Sequence, residues 1–85
     1  RGGMSPQRLF SNDEIIAALE RAGSAARKGR GGHGAWIREE PDGGHRVVIV
    51  PLAKREIPHG TFRSILKQAG LTYDEFLRFA GVRRR

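Results

Sequence analysis

The chain has 85 residues, enough for one small domain with short tails and too few to bury two cores, which excludes an enzyme built from two lobes. Thirteen Arg and three Lys against nine acidic residues give a formal charge of +7. A polyanionic partner is therefore expected, nucleic acid ahead of a membrane surface, the plainer alternative being basic charge that serves solubility alone. Cysteine is absent, which removes disulfides, thiolate nucleophiles, Cys-ligated zinc and iron–sulfur clusters.

Arg1, Gly2 and Gly3 precede the only Met, Met4, and read as a remnant of cloning, with residues 4–11 as a tail, 12–80 as the domain and 81–85 as a basic tail. Ser11 followed three residues later by Glu14 is a capping box, and Ile15, Ile16, Leu19 and Ala22 recur at helical spacing. The spacing predicts a helix over 12–22 that Gly23 terminates, with Phe10 stapling onto Ile15. From Ser24 to Gly34, glycines alternate with Arg27, Lys28, Arg30 and His33. Interior glycines disfavour a helix by about 1 kcal/mol each, so a strand fragment followed by an exposed loop, whose backbone comes close to a ligand, is expected here.

Residues 35–39 and 45–50 are strand-like, and Pro41-Asp42-Gly43-Gly44 between them predicts an antiparallel hairpin. Pro51 ends the second strand or places it at an edge, and a loop through Lys54, Arg55 and Glu56 follows. Thr61 is expected to cap a helix bearing Phe62, Ile65, Leu66 and Ala69, which Gly70 stops. Thr72 and Glu75 form a second capping box ahead of a short helix with Phe76, Leu77, Phe79 and Ala80. The fold class is α+β: a small antiparallel sheet packed on one face by helices, its other face partly wet. No apolar run is long enough to span a bilayer, and the first twenty residues hold no signal-peptide core, so a cytoplasmic protein without membrane association is expected.

The three histidines, His33, His45 and His59, lack the close spacing of a metal motif, and the acids do not cluster as a hydrolytic metal centre requires; neither metal nor cofactor is expected. Metal-free acid–base chemistry on a polyanion points to RNA, whose 2′-hydroxyl is an internal nucleophile that DNA lacks. His33 is the candidate base: Gly31 and Gly32 let backbone amides approach a phosphate, and Lys28, Arg30 and Arg38 supply charge. Lys54, Arg55 and Lys67 complete the expected RNA-binding set. The plain alternative for His33 is a surface side chain in a flexible loop. Trp36 can stack on a base, meet a partner or pack in the core.

The residues Gly31-Gly32-His33, the run 47–51, the stretch from Glu56 to Leu71 and Glu75-Phe76-Leu77 together resemble the HicA toxin family of bacterial toxin–antitoxin pairs, over roughly residues 12–80. The resemblance implies a double-stranded-RNA-binding-domain-like fold of α-β-β-β-α order with a short final helix. It also implies metal-independent cleavage of mRNA with His33 as catalytic residue, and neutralisation by a cognate HicB-like antitoxin. The chain departs from the family pattern at Gly32, where Ser is usual, and at Ala53, where His is frequent. The antitoxin is expected to cover His33, Trp36 and Arg38, and no DNA binding by the chain alone is expected. Two other classes remain open: a non-catalytic double-stranded-RNA-binding module, and a basic partner-binding protein without nuclease activity.

Overall fold

The computed structural model describes residues 9–81, and within them the side chains of Gly29 and Arg30 are not described; the expected remnant at 1–3, most of the expected tail at 4–11 and residues 82–85 of the expected basic tail lie outside the described residues. In chain order the elements are β1 (Phe10–Ser11), α1 (Asn12–Arg21), β2 (Ala25–Arg30), β3 (His33–Glu39), β4 (His45–Pro51), β5 (Glu56–Ile57), α2 (His59–Ala69) and α3 (Tyr73–Ala80). β2, β3 and β4 form an open antiparallel sheet in that order, while β1 pairs with β5 in a separate two-stranded ribbon.

Both capping boxes form. The Ser11 hydroxyl accepts from the Glu14 N–H at 3.1 Å and the Glu14 carboxylate from the Ser11 N–H at 2.9 Å. Thr72 and Glu75 do the same at 3.1 and 2.8 Å. The Thr72 N–H holds the Glu75 carboxyl below the usual glutamate range, with Arg78 and Arg38 adding to the effect through their charge. α1 ends at Gly23, where φ is +105°, and the Ser24 and Gly23 N–H groups return to Leu19 and Glu20, closing the carbonyls that a helix end leaves open. α2 ends in the same way at Gly70, with Leu71 bonded back to Leu66 and packed on the core.

The structure corrects three expectations of the fold. β2 runs through Gly29 to Arg30, and the glycine-rich stretch is an irregularity in its pairing between Arg27 and Arg30 followed by a tight turn at Gly31-Gly32, not a long loop. β5 forms inside the expected loop and pairs with β1, so packing begins at Phe10 rather than at Asn12. There, Phe10 packs at a tilt against Phe62 and edge-to-face against Phe76, with ring centroids 5.4 and 5.0 Å away. α2 begins at His59, after a Pro58 cap that makes no side-chain bond, so Thr61 does not cap it.

The hairpin from β3 to β4 closes as expected: Gly43 takes φ +92° and the Gly44 N–H reaches the Asp42 carboxylate at 2.8 Å. Alternation along β3 and β4 buries Gly34, Trp36, Val48 and Val50 against the helices and leaves Val47 and Ile49 exposed. α1 packs against α3, and α2 lies alongside β4.

Candidate functional site

His33 is the first residue of β3, the central strand, opposite Pro51 on β4 and Arg30 on β2. It is therefore fixed in a ladder rather than carried on a loop, and its side chain is exposed. Two glycine positions make this possible. Gly31, at φ +56°, turns the chain from β2 into β3. Gly34 lies under the Trp36 ring, where an added Cβ would come within 2.6 Å of it.

α2 supplies the facing wall. Its residues Thr61, Ser64 and Gln68, three and then four apart, share one helix face and line a shallow cleft of about 240 Å³ together with His33, Ile49, Pro51 and Ile65. The Gln68 side chain reaches the edge of β4, where its Oε1 accepts from the Ile49 N–H at 2.9 Å. A wider groove of about 610 Å³ adjoins this cleft across Ser64 and is lined by Gly60, Arg63, Leu66, Lys67 and Leu71 as well. The sequence offers Thr61 as a cap and gives Ser64 and Gln68 no role, because polar residues on an amphipathic helix read as its solvated side. Their common face was nevertheless legible from spacing alone.

The expected cations divide into two groups. The segment after Pro51 is drawn to the β2–β3 turn by a bond from the Leu52 N–H to the Gly32 carbonyl, and Asn12 Nδ2 holds the Leu52 carbonyl at 3.0 Å. Exposed Lys54 and Arg55, exposed Lys28, and the Gly31-Gly32 backbone thus lie at the His33 end of the sheet. The side chain of Arg30 is outside the described residues. Lys67 belongs to the neighbouring groove.

Arg38 is at the other end, opposite Arg46; it donates to the Ala69 carbonyl at 2.9 Å and pairs with Glu40 at 3.1 Å, so it does not join His33. Trp36 is only 6% exposed and its indole N–H donates to Glu20 at 3.0 Å. This side chain packs the core and presents almost no surface to a base or a partner. His45 lies opposite Glu39 at the far end, and His59 opens α2 outside the cleft. Among the described residues no three His, Asp or Glu side chains come together as a metal-holding group, and no helix is long and apolar enough to cross a membrane.

The family model described as HicA toxin of bacterial toxin-antitoxin matches residues 13–71, from the first turn of α1 to the residue that closes α2. The chain belongs to the HicA toxin family. No curated relative matches it. The HicA match contains His33 and the whole α2 wall of the cleft, while α3 follows it. Gly32 and Ala53, the two positions where the resemblance leads one to expect other residues, are neighbours in space: a Cβ on Gly32 would sit 3.5 Å from that of Ala53.

Proposed function

We propose that this HicA toxin is a metal-independent endoribonuclease that cleaves mRNA with His33 as its base, on a fold of the double-stranded-RNA-binding-domain type. The observation that carries the reading is an exposed imidazole, fixed by two neighbouring strands, in a cleft whose other wall is a polar helix face. His33 takes the proton of a ribose 2′-hydroxyl, the 2′-oxygen forms a bond to phosphorus, and the bond from phosphorus to the 5′-oxygen breaks, that oxygen taking a proton from water. The products are a 2′,3′-cyclic phosphate and a 5′-hydroxyl. Lys28, Lys54 and Arg55 draw in the strand, and replacing any one of these cations by Ala should lower the slope of log affinity against log salt by about 0.7 to 0.9.

Neutralisation by a HicB-like antitoxin follows the same geometry. A partner that is acidic where it docks covers the His33 end, where exposed Leu52 and Ile49 give it apolar contact beside the cations. The test is cleavage of a long unstructured RNA by the purified protein with and without chelator, beside His33→Ala. Cleavage that survives chelator and vanishes in the folded variant supports the reading. RNA binding without cleavage would favour the non-catalytic module, and neither binding nor cleavage would favour the partner-binding protein.

A further inference from the structure

β4 is the edge of the three-stranded sheet, so N–H groups on its outer side have no strand to pair with. Gln68 closes one of them by accepting from the Ile49 N–H through Oε1. A backbone N–H demands an acceptor, which fixes the amide: the oxygen faces the strand, and Nε2 with its two N–H donors is left on the other branch. Among the described residues no protein acceptor meets Nε2. Gln68 stands on the rigid last turn of α2, between buried Ile65 and Ala69, and lines the cleft that contains His33.

Among the described residues no Lys or Arg lines that cleft; Arg63 and Lys67 line the adjoining groove instead. Of the described side chains that line it opposite His33, those able to donate to the non-bridging oxygens of a phosphate are the neutral Thr61, Ser64 and Gln68. The hydroxyls of Thr61 and Ser64 rotate freely, whereas the Gln68 amide is already oriented by its bond to Ile49, and a donor held in place before the reaction costs no reorganisation during it. The geometry points to Gln68 Nε2 as the donor that holds a non-bridging oxygen of the scissile phosphate, an inference that rests on the RNA-cleaving reading above.

The experiment uses the full chain and an RNA oligonucleotide carrying a single phosphorothioate of defined configuration at the linkage the wild type cuts fastest. Sulfur accepts hydrogen bonds poorly, so the wild type should cut one diastereomer markedly more slowly than the other. Gln68→Glu keeps an oxygen for the Ile49 N–H but has no donor; Gln68→Met has neither. Both should fall about 10²-fold in rate, the scale of removing one oxyanion donor, and both should lose the preference between diastereomers. Repulsion by the new carboxylate would slow Gln68→Glu without erasing that preference. A purely structural glutamine would leave the preference intact in both variants. Persistence of the preference, its absence in the wild type, or wild-type rates in Gln68→Glu overturns the assignment while cleavage dependent on His33 stands. A wild type that cuts no RNA overturns both.

Discussion

The two ends of the β3–β4 ladder use the same residue types to opposite effect. At the Arg38 end, Glu40 bridges Arg38 and Arg46 at 3.1 and 3.3 Å, and Arg38 also closes the last carbonyl of α2. At the His33 end the turn is built from glycine, Lys28, Lys54 and Arg55 are exposed, and the cleft wall is made of neutral polar groups. Cations at the first end hold the chain together; at the second they are exposed, and the proposed function gives them to RNA phosphate. Net charge alone hides this division, since a guanidinium that satisfies a helix carbonyl and one that is exposed count equally in the sum.

The largest expected effect is at the open end. His33→Ala should reduce cleavage by about 10²- to 10⁴-fold, the usual loss on removing a general base. Because the side chain is exposed, stability should change by no more than about 0.5 kcal/mol. Denaturant unfolding beside the cleavage assay checks the pair of values. A variant that loses both activity and several kcal/mol would mean that the open end is structural after all.

Gly34→Ala tests how tightly that end is built underneath. The new Cβ would lie 2.6 and 2.8 Å from two carbons of the Trp36 ring, and that ring is buried and tethered to Glu20, so it cannot swing aside. Overpacking of this kind costs about 1 to 3 kcal/mol, read as a lower denaturation midpoint. An unchanged midpoint would show that Trp36 is looser than its burial implies.

Arg38→Ala should give the converse of His33→Ala. It leaves the Ala69 carbonyl without its partner at a part-buried helix end, a loss of about 1 kcal/mol, while RNA cleavage and its salt dependence stay as in the wild type. A flatter salt slope in this variant would move Arg38 into the RNA-binding set and dissolve the contrast between the two ends.

How much of this was legible in the sequence follows the range of each interaction. Capping boxes at Ser11 and Thr72, terminators at Gly23 and Gly70, and the turn at Asp42-Gly43 act within a few residues, and each forms where its residues predict. The β1–β5 ribbon joins residues more than forty apart and is only two pairs long, too short for any periodicity to show. The extension of β2 through Gly29 is a tertiary override, because pairing with β3 on either side, at Arg27 and at Arg30, carries the strand across a glycine that local preference would leave in a loop. His33 was legible as a residue and misplaced as structure. Gln68 acquires its meaning only from the unpaired Ile49 N–H across from it.

The smallest expected effect belongs to Glu75, and it asks whether the cross-tied end can be loosened by acid. Its carboxyl is held below the usual glutamate range chiefly by the Thr72 N–H, with Thr72 Oγ1, Arg78 and Arg38 contributing less and desolvation opposing. A folded value below the unfolded one means that the unfolded chain takes up its proton first as pH falls. The contribution to stability is therefore complete above the ordinary glutamate value and disappears as pH drops through the lower, folded one. Gln at this position can still accept from the Thr72 N–H but carries no charge to titrate. Wild type should accordingly melt slightly above Glu75→Gln near neutrality, and the gap should close in the acid range. High salt should narrow the part of the gap that comes from Arg78 and Arg38, because exposed charges are screened, and leave the hydrogen-bonded part. A gap that stays constant with pH would show that the box stabilises α3 through shape alone and that charge ties this end only through Glu40.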